Sequence, residues 1–155
     1  MFFLLLDMLF LRQWYVKKQI RLLLKKNSSL RFYDAGAGFC QYSDYILTSY
    51  RNSSVLALDL KEDYLKEYAG YAEQKYPDRF SWICADLVEY IPSDRFNLIA
   101  AIDILEHIEN DVKVLENFYQ CLADGGKLII STPSTLDETA RFTAEHVRPG
   151  YAEEE

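Results

Sequence analysis

The sequence predicts an α/β fold, one doubly wound parallel sheet with helices on both faces. Three observations predict it. Short, continuous apolar runs alternate along the chain with longer stretches of helical periodicity. Four of these runs end in succession on aspartate, at Asp34, Asp59, Asp86 and Asp103. The first leads directly into Gly36-Ala37-Gly38, a tight turn between a strand and a helix that presents backbone N–H groups at the top of a sheet.

Composition bounds the rest. A chain of 155 residues, half of them apolar and only four of them proline, makes one domain with a real core and excludes disorder. Cys40, Cys84 and Cys121 are odd in number and far apart. They form neither a disulfide framework nor a zinc site, and fit a reducing, intracellular (cytoplasmic) compartment. The net charge of −7 argues against a nucleic-acid surface. It is unevenly spread: residues 1–31 hold seven Lys/Arg against Asp7 alone, and residues 32–155 hold ten against 23 Asp/Glu. The acidic body favours a cationic ligand.

The elements follow in order. Met1 to Leu11 is apolar apart from Asp7 and shorter than the roughly 20 residues of a membrane span. No small-residue cleavage site follows it, which argues against a signal peptide. Arg12 to Lys26 has Val16, Ile20, Leu23 and Leu24 at helical spacing, with Lys17, Lys18, Arg21 and Lys25 on the opposite face. Two readings stand: a helix packed on the domain edge with solvated lysines, or a basic helix that lies on a membrane surface and continues the apolar segment.

Asn27-Ser28-Ser29 turns into a first strand, Leu30–Ala35, and a helix over Phe39–Tyr50. A second strand covers Ser54–Leu58, a charged helix Glu62–Lys75 and a third strand Phe80–Ala85. Phe96–Ile102 is a fourth strand and Asp111–Leu122 its helix. Asp124-Gly125-Gly126 is the turn into a fifth strand, Lys127–Thr132, stopped by Pro133. Right-handed crossovers gather the strand-end aspartates around one crevice, at the switch point between strands one and four.

A dinucleotide site wants G-x-G-x-x-G, and counting from Gly36 the third glycine falls on Gln41. A nicotinamide-dependent reductase is thereby disfavoured. Asp34, Gly36 and Gly38 instead satisfy D-x-G-x-G, with Cys40 a further small position, a loop suited to a ligand that has a carboxylate and no phosphate.

From Leu30 to Pro133 the chain resembles the class I S-adenosylmethionine-dependent methyltransferases. The resemblance rests on D-A-G-A-G, L-A-L-D-L around Asp59, C-A-D-L around Asp86, the Ile102-Asp103-Ile104-Leu105-Glu106-His107-Ile108 run, and the L-A-D-G-G-K-L-I-I-S segment from Leu122. I-L-E-H-I is most similar to the small-molecule branch that includes quinone-biosynthesis methyltransferases. The resemblance implies a Rossmann-like sheet of order 3-2-1-4-5, S-adenosyl-L-methionine as cofactor and a small-molecule acceptor. It implies that Gly36, Ala37 and Gly38 admit the methionine part, with helix-start amides at its carboxylate. Asp59 and Leu60 would take the ribose, Asp86 and Leu87 the adenine, and Asp103 the ammonium. Asp34 would order the loop, and His107 would be the one base available for a hydroxyl or ammonium acceptor. Metal binding by Glu106, His107, Glu109 and Asp111 is the weaker reading, since acids at the last two positions suit a helix start.

Each aspartate also has a plain structural reading as a helix cap or turn former. The family's sixth and seventh strands have no counterpart before Glu155. The expected layout is therefore an N-terminal amphipathic helical arm (1–29), a cofactor domain (30–133) and a C-terminal tail (134–155). The chain looks like a fragment or a truncated form whose fifth-strand edge is left for a partner. The rival function is a binding module that keeps the cofactor fold without turnover.

Overall fold

A computed structural model of the protein describes residues 2–24 and 29–132, with residues 2–10 described by their helical path alone. Its elements are α1 (Phe2–Leu23), β1 (Leu30–Ala35), α2 (Gln41–Ser49), β2 (Ser53–Asp59), α3 (Glu62–Lys75), β3 (Phe80–Cys84), β4 (Phe96–Ile102), a 3-10 turn at Leu105–His107, α4 (Asp111–Cys121) and β5 (Leu122–Ser131). The five strands form one sheet in the order β3-β2-β1-β4-β5, parallel throughout. Asp34 is in register with Ala57 on one side and Ala100 on the other, so the ends of β1, β2 and β4 stand side by side.

The alternation of side chains along each strand divides the core in two. Phe32, Leu98 and Ala100 face one side with Ile20, Tyr42, Ile46 and Leu47, which places α1 and α2 there. Tyr33, Ile99 and Ala101 face the other side with Val114 and Phe118 of α4. Both faces of β1 and β4 are covered, which is why these strands read as unbroken apolar runs. Helices change faces between β1 and β4, the condition for a crevice at the strand ends.

Two elements differ most from expectation. The first helix begins at Phe2, ten residues before Arg12, because the apolar segment continues its turn. Val16 and Ile20 are fully buried, whereas Leu23 is exposed along with Leu11, Trp14, Tyr15 and Leu22. The outward face of α1 is therefore apolar and aromatic as well as basic. Burying Val16 and Ile20 contributes about 1.5–3 kcal/mol each.

The second difference is at Asp124-Gly125-Gly126. β5 starts at Leu122 and these residues lie inside it, where pairing with β4 jumps from Phe96↔Leu122 to Leu98↔Lys127. Gly125 takes φ +72° there, and a Cβ on Gly126 would lie 2.8 Å from the Ala123 carbonyl and 2.9 Å from that of Phe96. Glycines that read as a turn are a bulge, since two backbones approach too closely for a side chain. Among the described strands β5 is at the sheet edge, and its Ile130 is 43% exposed. Lys25, Lys26, the Asn27-Ser28 turn, Pro133 as a strand stop and the 134–155 tail lie outside the described residues.

Candidate active site

A cavity of about 630 Å³ opens at the carboxyl ends of β1, β2 and β4. Gly36, Ala37 and Gly38 form one wall; Leu58, Asp59, Leu60 and Lys61 the next; Ala85 and Leu87 a third; and Ile102, Asp103, Ile104 and His107 the last. Seven of the nine residues expected at a cofactor, Gly36, Ala37, Gly38, Asp59, Leu60, Leu87 and Asp103, are thus brought together, and His107 joins them. Asp34 and Asp86 are not among the lining residues.

Asp34 is 2% exposed and spends one carboxylate oxygen on Ser43, accepting from its N–H at 3.0 Å and its hydroxyl at 2.7 Å. It ties the end of β1 to the first turn of α2. Burial pushes its carboxyl up from 3.8 to about 7, although both Ser43 bonds pull the other way. Asp86 is a turn former: its Oδ1 accepts from Val88 N–H at 2.8 Å, and its carbonyl accepts from the N–H groups of Glu89 and Tyr90.

Asp59 also serves the backbone, accepting from Gly38 N–H and from Lys61 N–H at 2.8 Å each. The glycine turn does not present free amides, which corrects the sequence expectation. Gly36 and Ala37 donate to the Leu58 carbonyl at 2.8 and 2.9 Å, and Gly38 donates to Asp59. The loop is braced on the end of β2, so its glycines act through missing side chains. Both have left-handed backbones, φ +75° at Gly36 and +49° at Gly38. A Cβ on Gly36 would stand 2.7 Å from Ile104 Cγ1, whereas one on Gly38 would meet nothing within 4 Å.

Cys40, at the further small position, is left-handed too (φ 57°), fully buried, and its thiol is pushed well up by burial. It is a packing residue where a glycine would sit without strain.

On the far wall Asp103 has φ 54° and donates its N–H to the Ser131 carbonyl at 2.7 Å. Its Oδ2 accepts from the Arg12 guanidinium, reaching across from α1, while its Oδ1 is buried with no partner among the described residues. Glu106, two residues beyond the lining Ile104, has its carboxyl raised by burial and by Asp103 and lowered by Arg12. No cluster suited to a metal ion occurs among the described residues.

Sequence reasoning missed Phe39, Gln41, Tyr42, Lys61, Tyr64 and Ile104 in the lining, and Arg12 beside it. One signal was available: Phe39 follows the glycine turn as a large apolar residue at a helix entry. It is 64% exposed and stacks on Tyr64 with ring centroids 4.2 Å apart.

Known proteins resemble the chain in sequence and in fold. The chain is 31% identical over 127 residues to the mitochondrial ubiquinone biosynthesis O-methyltransferase of Candida albicans, covering 78% of this chain and 38% of that protein. It is 27% identical over 114 residues to the trans-aconitate 2-methyltransferase of Sinorhizobium medicae, covering 73% of this chain and 42% of that one. It spans about two-fifths of the length of these curated relatives. Among solved structures, an S-adenosylmethionine dependent methyltransferase from Mesorhizobium loti matches with a TM-score of 0.61 and 29% identity, over 74% of this chain and 52% of that one. A family profile described as a methyltransferase domain matches residues 33–128, from the strand before the glycine turn into β5. With the sheet order, the crevice at its switch point and the profile in agreement, the chain belongs to the methyltransferase-domain family.

Proposed function

We propose that this chain carries the cofactor half of an S-adenosylmethionine-dependent methyltransferase acting on a small-molecule acceptor. The observation that carries the reading is the single cavity shared by a side-chain-free glycine wall and two carboxylates, Asp59 and Asp103. The donor set fits the ligand. Space beside Gly38 admits a close-packed group, and the buried, unpartnered Oδ1 of Asp103 suits an ammonium. Asp59 retains acceptor capacity for ribose hydroxyls while it holds Gly38 and Lys61, since a carboxylate offers about four lone-pair sites. Asp86 and Leu87 take the adenine end in this reading, and Asp34 serves by locking the loop.

When bound, S-adenosylmethionine supplies a methyl group already activated on a sulfonium. The protein's task is then to orient, to enclose and to exclude water. The apolar Leu58, Leu60, Leu87 and Ile104 do the last. His107, in the 3-10 turn after β4, takes the proton of a hydroxyl acceptor. His107→Gln should lower kcat about a hundredfold for such an acceptor and remove the acidic limb of the pH–rate profile. An unchanged limb would remove the base assignment.

Calorimetric titration tests the cofactor: S-adenosylhomocysteine should bind and NADH should not, and binding of NADH alone would overturn the reading. A second reading, a binding module without turnover, draws on the fact that only His107 among the assigned residues is left for chemistry. Binding of S-adenosylhomocysteine without methylation of any acceptor, in the longest available form of the protein, would favour it.

The I-L-E-H-I run and the likeness to a ubiquinone O-methyltransferase support a quinone-type phenolic acceptor. The free cysteines, with Cys84 exposed, support a reducing cytoplasmic setting. No helix of the described residues is long and apolar enough to cross a membrane. The exposed Leu11, Trp14, Tyr15 and Leu22 of α1, beside Lys17, Lys18 and Arg21, support peripheral contact with an anionic membrane surface. Co-sedimentation with anionic liposomes should depend on Trp14, and absence of binding would remove the membrane idea. Among the described strands β5 stands at an edge, which supports pairing with a second copy, and light scattering would detect it.

A further inference from the structure

Asn117 is a buried polar residue that no site assignment uses. It lies on α4, 2% exposed, among Val114, Phe118 and Cys121. Its Nδ2 donates to two consecutive carbonyls, those of Leu87 and Val88, at 2.9 Å each. Those carbonyls belong to the turn after β3, some 30 residues earlier in the chain. The turn holds itself from within through Asp86, whose side chain and carbonyl accept from the three residues after Leu87.

An amide buried in an apolar helix face costs free energy unless bonded, and the Oδ1 of Asn117 is buried with no partner among the described residues, so stability alone does not account for the residue. What the asparagine supplies is direction. Two donors fixed on one planar group hold two successive peptide planes, and so set the path on which Asp86 and Leu87 lie. Ala85 and Leu87 line the cavity, and Asp86, which is not among the lining residues, lies between them in the chain, so a small rotation of this path would move the acceptor of the proposed reading or tilt the apolar wall.

We propose that Asn117 is a positioning residue for base selectivity: from the opposite side of the turn it holds the Asp86–Val88 backbone in the one conformation that reads an amino-bearing purine. The inference rests on the cofactor reading above and deepens it at the adenine end.

The test compares S-adenosylhomocysteine with S-inosylhomocysteine, in which oxygen replaces the purine amino group, in the full chain by calorimetry. The unaltered protein should prefer the adenine form by about tenfold or more, the equivalent of one well-placed hydrogen bond to a charged acceptor. In Asn117→Leu, and in the isosteric Asn117→Asp, which loses the donors, the preference should fall towards one. Phe118→Leu perturbs the same helix and core; it should lower the melting temperature and leave the preference intact.

A folded Asn117 variant that keeps the full preference overturns the inference. So does a parent protein that binds both ligands equally. A parent that binds neither instead overturns the cofactor reading on which the inference stands. If Asn117→Leu does not fold, Asn117→Asp decides the matter.

Discussion

The two walls of the crevice are built by opposite means. The β1–β2 wall is braced between its own two strands: the Leu58 carbonyl and the Asp59 carboxylate between them hold the N–H groups of Gly36, Ala37, Gly38 and Lys61. The β4 wall is held from outside, by α1 and β5. Asp103 meets Arg12 of α1 with one oxygen and leaves the other buried and open, and its N–H goes to the Ser131 carbonyl on β5. The first wall is a preformed mould; the second carries a carboxylate oxygen, Asp103 Oδ1, with no partner among the described residues. Four aspartates alike in sequence position consequently do four different jobs, and only two of them face the cavity.

Substitutions can separate these roles, beginning with the largest effect. Asp59→Ala removes the brace and, in the proposed reading, the ribose acceptor with it, and should weaken S-adenosylhomocysteine binding about a hundredfold, or ~3 kcal/mol, by calorimetry. Unchanged affinity would end the assignment. Asp34→Ala, by contrast, should act on stability, costing about 2–3 kcal/mol in denaturant melts because the buried Ser43 donors lose their acceptor.

Asp34 also gives the mould side a pH signature. Its carboxyl is raised from 3.8 to about 7, so the folded state holds the proton more tightly than the unfolded chain. Stability tied to this group is therefore full below about pH 4 and is lost as pH rises towards about 7. Asp34→Asn should flatten that decline in melts across the interval.

The glycines sharpen the contrast within one loop. Gly36→Ala should cost about 2 kcal/mol of stability, since left-handed strain adds to a close approach to Ile104. Gly38→Ala meets open space and should cost about 1 kcal/mol, with most of its effect on ligand affinity. Equal melting temperatures for the two variants would contradict the packing argument. The smallest effect belongs to the β4 wall: Arg12→Ala removes a pair whose side chains are 27% and 28% exposed, and should change stability by about 1 kcal/mol or less.

Much of this was legible in the chain itself. β1 and β4 have the predicted bounds because both are buried on two faces, and a continuous apolar run has sharp ends. Gly36 and Gly38 were legible as necessary glycines, and their positive φ is the reason. Arg12, Tyr64 and Asn117 were not. Each acts through a partner on another element, Asp103, the cavity or the Leu87 carbonyl, and no local pattern records such a pairing. The Gly125-Gly126 bulge was misread as a turn because left-handed freedom is needed in both, and only the β4 backbone alongside distinguishes them.

By itself, then, the sequence determined the succession of elements, the sheet's parallel character and the four acidic strand ends, since periodicity and chain-local sterics suffice for these. Only the tertiary structure decided which acids serve folding and which face the cavity. A carboxylate's role depends on the donors within its reach: for Asp34 these are on α2, for Asp103 on α1, and their distance in space is set by packing across the sheet.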